Sequence, residues 1–343
     1  MNNKKILLIY TGGTIGMGTN AATGALEPLD FSHFVNQVPE LDYLQTQIDT
    51  YQFDPPIDSS DMTPVKWAQI VDIIATRYAD YHGFVILHGT DTMSYTASAL
   101  SFMLEDIGKP VVLTGSQLPI GQLRTDGKEN LVTSLEIAAA EDVDGRPMVP
   151  EVCIYFNGKL MRGNRSTKIN ADGFNAFDTP NYPSLADAGI NIVYRKKNIL
   201  MPKTNATFRP HTDMDTHLLV LSLFPGIEQD MVAHMLSMPG LRSVVMRSFG
   251  SGNAPQQPWL VNLLKNAREK DIVVVNISQC MSGNVEMSRY ETGYQLQQTG
   301  IVSGYDATVE ATVAKLMFLQ GMYHSTEKVI EGLNQSLCGE ITI

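Results

Sequence analysis

Ile6-Leu7-Leu8-Ile9-Tyr10-Thr11-Gly12-Gly13-Thr14-Ile15-Gly16 is the stretch on which the fold turns. Its five apolar residues, Ile6 to Tyr10, are too few for a helix and fit a strand buried on both faces. Lys4-Lys5 ahead of them imitates the basic start of a secretory signal. Such a segment needs roughly 7–15 apolar residues, however, and Gly12-Gly13 ends the run early. The expectation is an opening β-strand of a cytoplasmic protein. The glycines after it allow a sharp turn that presents backbone N–H groups beside the Thr14 hydroxyl.

Further runs of the same kind follow at Phe84–Leu87, Val111–Thr114 and Val152–Phe156. Between them lie helical patterns. Trp67, Ile70, Val71, Ile74 and Tyr78 recur at helical spacing after Thr63-Pro64, and Met93, Ala97, Leu100, Leu104 and Ile107 predict a helix over 92–107, stopped by Gly108 and Pro110. Alternating strands and helices read as a doubly wound α/β sheet. A second series has strands at Leu218–Leu223, Ser243–Arg247 and Ile272–Ile277, with helices near Gln229–Leu236, Pro255–Lys270 and Thr308–Gly321. The fold class is therefore two doubly wound α/β domains: a larger, Rossmann-like N-terminal one over residues 1–190 and a smaller C-terminal one over 216–343. The polar, unpatterned stretch 191–215 reads as their linker.

Length agrees, because 343 residues exceed one comfortable hydrophobic core. A net charge of -11 without clustered Lys or Arg argues against nucleic acid or an anionic membrane as partner, and no apolar run is long enough to cross a bilayer. A small-molecule substrate is expected. Cys153, Cys280 and Cys338 are odd in number and form no C-x-x-C, so neither a disulfide framework nor a metal site is expected.

In open α/β sheets ligands sit beyond the carboxyl ends of the strands. After the first strand, Thr14 beside backbone amides can serve as a nucleophile next to an oxyanion hole. The competing reading is a dinucleotide turn, since Gly16-Met17-Gly18-Thr19-Asn20-Ala21 satisfies G-x-G-x-x-A; it starts six residues past the strand, and no helical pattern follows. After Phe84–Leu87 comes His88-Gly89-Thr90-Asp91-Thr92-Met93, in which Asp91 can act chemically or cap the next helix. Asp58-Ser59-Ser60-Asp61-Met62-Thr63-Pro64 can hold a carboxylate or cap a helix. Arg162-Gly163-Asn164-Arg165-Ser166-Thr167-Lys168 is basic and follows a strand.

Together these segments resemble the bacterial-type L-asparaginase family over essentially the whole chain. Thr-Gly-Gly-Thr-Ile-Gly and His-Gly-Thr-Asp-Thr-Met are that family's two signatures. The resemblance implies that Thr14 is the nucleophile of an acyl-enzyme, that Thr90, Asp91 and Lys168 form a second catalytic group, and that Asp58, Ser59 and Ser60, with Thr90 and Asp91, bind the α-carboxylate and α-amino end of asparagine. No cofactor or metal is implied. Asp-Ser-Ser-Asp-Met-Thr-Pro, Gly-Asn-Arg-Ser-Thr-Lys and Ser-Gln-Cys-Met-Ser-Gly resemble the cytoplasmic type I branch. That likeness implies a homotetramer with a second, activating asparagine site at Arg247, Ser278, Gln279 and Cys280, near Thr167; the alternative is that Arg247 and Cys280 merely pack. One position departs. The family has a tyrosine about ten residues after the nucleophile, where this chain carries Ala25. Either another hydroxyl serves, or Thr14 is activated less well. Two other functions stay open at this point: a non-catalytic amino-acid-binding protein that keeps the pocket, and a nicotinamide-dependent dehydrogenase.

Overall fold

The computed structural model describes residues 4–19, 26–28, 38–203, 205–287 and 291–343. The chain divides into two compact units, Met1–Thr212 and Asp213–Ile343.

In the first unit β1 (Lys4–Tyr10), β2 (Thr46–Gln52), β3 (Gly83–Leu87), β4 (Val111–Thr114), β5 (Val152–Phe156), β6 (Lys159–Arg162), β7 (Ala186–Ala188) and β8 (Ile192–Tyr194) form one mixed sheet in the order β8-β7-β6-β5-β4-β3-β1-β2. The pairs β2-β1-β3-β4-β5 are parallel. Read along the chain this is the order 2-1-3-4-5, whose switch point lies between β1 and β3. From β5 onward the pairing turns antiparallel. Asn157-Gly158 is the cause: both residues have positive φ (48° and 78°), which suits a two-residue hairpin turn.

Both faces of the central strands are buried. On one face Ile6, Leu8, Val85, Leu87 and Val112 pack with Leu131 and Leu135 of a helix at Gly127–Ala139. The alternate residues Leu7, Ile9, Phe84 and Ile86 are equally inaccessible. Among the described residues two further helices precede that one, α1 (Pro64–Arg77) and α2 (Met93–Met103), so it is labelled α3. Helix α1 buries Trp67, Ile70, Val71, Ile73 and Ile74, each fully buried side chain contributing roughly 1.5–3 kcal/mol.

The second unit holds a parallel sheet of β9 (Leu218–Ser222), β10 (Ser243–Ser248), β11 (Val273–Ser278) and β12 (Val302–Ser303), in that order. Val244, Met246 and Val274 pack against Leu260 and Leu264 of the helix Pro258–Glu269. The Lys315 ammonium, 3% exposed, pairs with the fully buried Glu340 at 2.6 Å and ties the C-terminal segment to this core.

Two expectations need correction. The helix predicted over 92–107 ends at Met103, because Leu104–Glu105 leaves it to pair antiparallel with Arg209–Pro210 and Asp106 takes φ 56°. The stretch 191–215, read as a linker, contains β8, which is paired to β7 at the sheet's edge, and most of it belongs to the first unit. At that edge Val193 is 62% exposed.

Candidate active site

The residues singled out in the first unit gather at the carboxyl ends of β1, β2 and β3. Register brings these ends level, since Tyr10 pairs with Gln52 on one side and Leu87 on the other. Thr11 then bonds across, its N–H and its hydroxyl both donating to the Leu87 carbonyl at 3.0 and 2.9 Å, while its own carbonyl accepts from the Ile57 N–H at 2.6 Å. Gly13 has φ 94°, and a Cβ there would lie 2.5 Å from the Gly89 nitrogen. Only glycine permits that approach. A Cβ on Gly89 would meet the Ser59 hydroxyl at 2.5 Å. Three loops thus touch through their glycines, and Thr14, Ser60 and Thr90 each come directly after a contacting residue.

Thr14 opens a short 3-10 turn, Thr14–Gly16. The next element speaks against the competing dinucleotide turn. Met17–Thr19 is a strand paired antiparallel with Leu26–Pro28, where a nucleotide turn needs a helix start. Asn20, Ala21 and Ala25 lie outside the described residues.

On the β3 side the helix cap is Thr92, not Asp91, so capping does not account for the aspartate. The Thr92 hydroxyl instead donates to the Ser59 carbonyl at 2.6 Å, joining the second and third loops. Lys168 reaches both neighbours, donating from Nζ to the Thr90 hydroxyl at 2.8 Å and to the Asp91 carboxylate at 2.6 Å. With the Asp91 side chain 68% exposed, this ion pair is worth at most about 1 kcal/mol to stability. Its value lies in placing an ammonium beside a hydroxyl. Asp58 accepts from the Ser60 N–H and hydroxyl at 2.9 and 2.8 Å, which holds its carboxyl below the usual range. The mouth therefore carries two exposed carboxylates and one lysine, a field that suits a small ligand with an ammonium group.

The basic segment after β6 splits in two. Arg162 is buried against Glu151 at 2.6 Å, and both Arg162 and Arg165 lie over the Tyr182 ring. Only Lys168 faces the mouth, carried there by Thr167–Lys168 pairing antiparallel with Phe177–Asp178.

Two residues of the site escaped sequence reasoning. The first is Gln117, in the loop after β4. Its Oε1 accepts from the Thr90 hydroxyl at 3.4 Å, while its Nε2 donates to the carbonyls of Ala171 and Gly173 at 3.1 and 3.0 Å. Its place just past the carboxyl end of Val111–Thr114 is the signal that could have found it. Beside it opens a hollow of about 570 Å³ that also touches Arg124, Asp172 and Phe174. The second is His88. It is buried, and desolvation pushes its imidazole down to about 4. The neutral ring donates from Nδ1 to the Gly89 carbonyl at 2.7 Å and accepts at Nε2 from the Thr96 hydroxyl at 2.9 Å, which in turn accepts from the Trp67 indole at 2.9 Å. Helices α1 and α2 thereby brace the peptide ahead of Thr90.

In the second unit Arg247, Ser278, Gln279 and Cys280 cluster at the carboxyl ends of β10 and β11. Gln279 Nε2 donates to the carbonyls of Leu223 and Arg247 at 2.6 and 2.8 Å, and the Ser278 hydroxyl donates to the Gly250 carbonyl at 2.6 Å. Cys280 is exposed, and the buried Arg247 Nε finds no hydrogen-bond partner among the described residues. Thr167 belongs to the first unit. Among the described residues no cluster of His, Cys, Asp and Glu has the makings of a metal site, and no helix is long and apolar enough to cross a membrane.

Known proteins match the chain at both halves. The asparaginase N-terminal family model matches residues 5–200, and the glutaminase/asparaginase C-terminal domain model matches 217–331. The chain is 44% identical over 346 residues to L-asparaginase 1 of Escherichia coli (strain K12), covering 100% of this chain and 99% of that one. Its fold is similar to that of L-asparaginase I from Vibrio cholerae, with a TM-score of 0.90 and 42% identity over 99% of each chain. The L-asparaginase of Thermococcus kodakarensis is also similar, with a TM-score of 0.88 and 30% identity over 98% of this chain and 99% of that one. With the signature threonines held in touching loops at the switch point of a matching fold, the chain belongs to the asparaginase family of amidohydrolases.

Proposed function

We propose that this protein hydrolyses L-asparagine to L-aspartate and ammonia through an acyl-enzyme on Thr14. The observation that carries the reading is Lys168 donating to both Thr90 and Asp91 at loops in contact with the Gly12-Gly13 turn. In the first half-reaction the Thr14 oxygen bonds to the side-chain carboxamide carbon, the C–N bond breaks, and the nitrogen leaves as ammonia. Water then attacks the ester, and aspartate departs as the Thr14 hydroxyl is restored. Thr90, with Lys168 and Asp91, handles the protons of both steps. Asp58, Ser59 and Ser60 hold the α-carboxylate and α-amino end, and Asp91 meets the α-ammonium. A substrate lacking either charged end forgoes the pairing that these groups offer, and one extra methylene, as in glutamine, costs about 1–3 kcal/mol.

The same reading includes a cytoplasmic homotetramer in which asparagine also binds at Arg247, Ser278, Gln279 and Cys280, with Thr167, and activates the enzyme. The test of the core reading is ammonia release from millimolar L-asparagine by purified protein in EDTA. Thr14→Ala and Thr90→Val each abolish turnover with the fold intact; turnover retained in either removes that residue's role. Binding of asparagine without ammonia release would instead favour a non-catalytic amino-acid-binding protein.

A further inference from the structure

We propose that Gln117 is a positioning residue that fixes the direction of the Thr90 hydroxyl proton, leaving one lone pair of that oxygen open to the reacting atoms. The inference rests on the reading of Thr90 as the proton-handling hydroxyl. A threonine hydroxyl has one proton and two lone pairs. Lys168 Nζ, at 2.8 Å, occupies one lone pair. The proton points at Gln117 Oε1, 3.4 Å away, a long bond of the kind that tightens when a substrate completes the site. Which end of the Gln117 amide faces Thr90 is not free to change. Its Nε2 lies between the carbonyls of Ala171 and Gly173 at 3.1 and 3.0 Å, and a flipped amide would aim its oxygen at two acceptors.

The backbone below is equally constrained. The Asp126 carboxylate accepts from the N–H groups of Gln117, at 3.1 and 3.0 Å to its two oxygens, and of Leu118 at 3.2 Å. Asn130 Nδ2 donates to the same carboxylate at 3.3 Å and to the Gly115 carbonyl at 3.0 Å. With the proton parked on Gln117, the remaining lone pair of Thr90 can only accept, and it accepts from the nucleophile or water that approaches it. Without Gln117 the hydroxyl rotates, and its proton competes for that position.

The experiment compares wild type, Gln117→Met, which matches glutamine in length and lacks the acceptor, and Gln117→Asn, whose shorter amide falls short of Thr90. Thr90→Val is measured alongside. The expected result is a kcat lower by on the order of tenfold in both Gln117 variants, a KM within about twofold, a melting temperature lowered by no more than a few degrees for the lost Nε2 bonds, and a larger solvent deuterium isotope effect on kcat. A merely structural role would lower the melting temperature or raise KM without moving the isotope effect. Wild-type kcat and isotope effect in Gln117→Met, or in Gln117→Asn where the first variant does not fold, overturns the proposal while an inactive Thr90→Val leaves the wider reading standing. An active Thr90→Val overturns both.

Discussion

Lys168 donates to the Thr90 hydroxyl at 2.8 Å across 78 residues of sequence, and this one contact joins a loop after β3 to the short ladder after β6. It puts a positive charge on a hydroxyl oxygen without burying either group fully. That is an arrangement for chemistry more than for stability.

Replacing the lysine by an apolar side chain of similar length isolates that charge. Lys168→Met is expected to lower kcat by about 10²–10⁴-fold, while chemical denaturation shows a loss of no more than about 1 kcal/mol, since the Asp91 partner is largely exposed. Steady-state ammonia release and a urea titration on the same preparation check both halves.

Gly13→Ala tests the contact between the first and third loops. The new Cβ would sit 2.5 Å from the Gly89 nitrogen at a φ of 94°, so the loops must separate at a cost of at least about 1–3 kcal/mol. Because a displacement of about 1 Å can cost on the order of 100-fold in rate, activity is expected to fall by that factor even in protein that still folds. Circular dichroism and turnover measured together distinguish misplacement from unfolding.

His88 predicts a pH dependence of stability. Burial lowers its folded value to about 4 from 6.5, so between these limits the unfolded chain binds the proton first. Stability is complete above about pH 6.5 and declines as pH falls toward 4, by on the order of 3 kcal/mol. Urea midpoints of wild type and His88→Gln across this range should converge in slope only above pH 6.5. A wild-type profile as flat as that of the variant would contradict the neutral, buried assignment.

Arg247→Ala tests the proposed activation by a second asparagine. Rate against asparagine concentration is expected to be sigmoid in wild type and hyperbolic in Arg247→Ala, a coupling on the order of 1–3 kcal/mol. Hyperbolic curves in both would reduce the cluster around Gln279 to the strand-end ties it already makes.

Sequence alone determined the β/α alternation and the parallel core, because a strand buried on both faces must be an unbroken apolar run and a packed helix must repeat at helical spacing. It also placed Thr14 and Thr90-Asp91 past the ends of strands, where ligands bind, and Asp58 to Ser60 just ahead of a helix. It could not reveal β2, whose residues Thr46–Gln52 are mostly polar because the strand lies at the sheet edge. Nor did composition separate Lys168 from Arg162 and Arg165, three cations in one segment of which two are buried for packing. Only the tertiary structure decided those matters. Strand order brought β1 and β3 side by side, glycines let their loops touch, and pairing of Thr167–Lys168 with Phe177–Asp178 carried one amine to Thr90 and seated the Gln117 amide against the carbonyls of the same turn. These are contacts between residues far apart in the chain, and local periodicity carries no information about them.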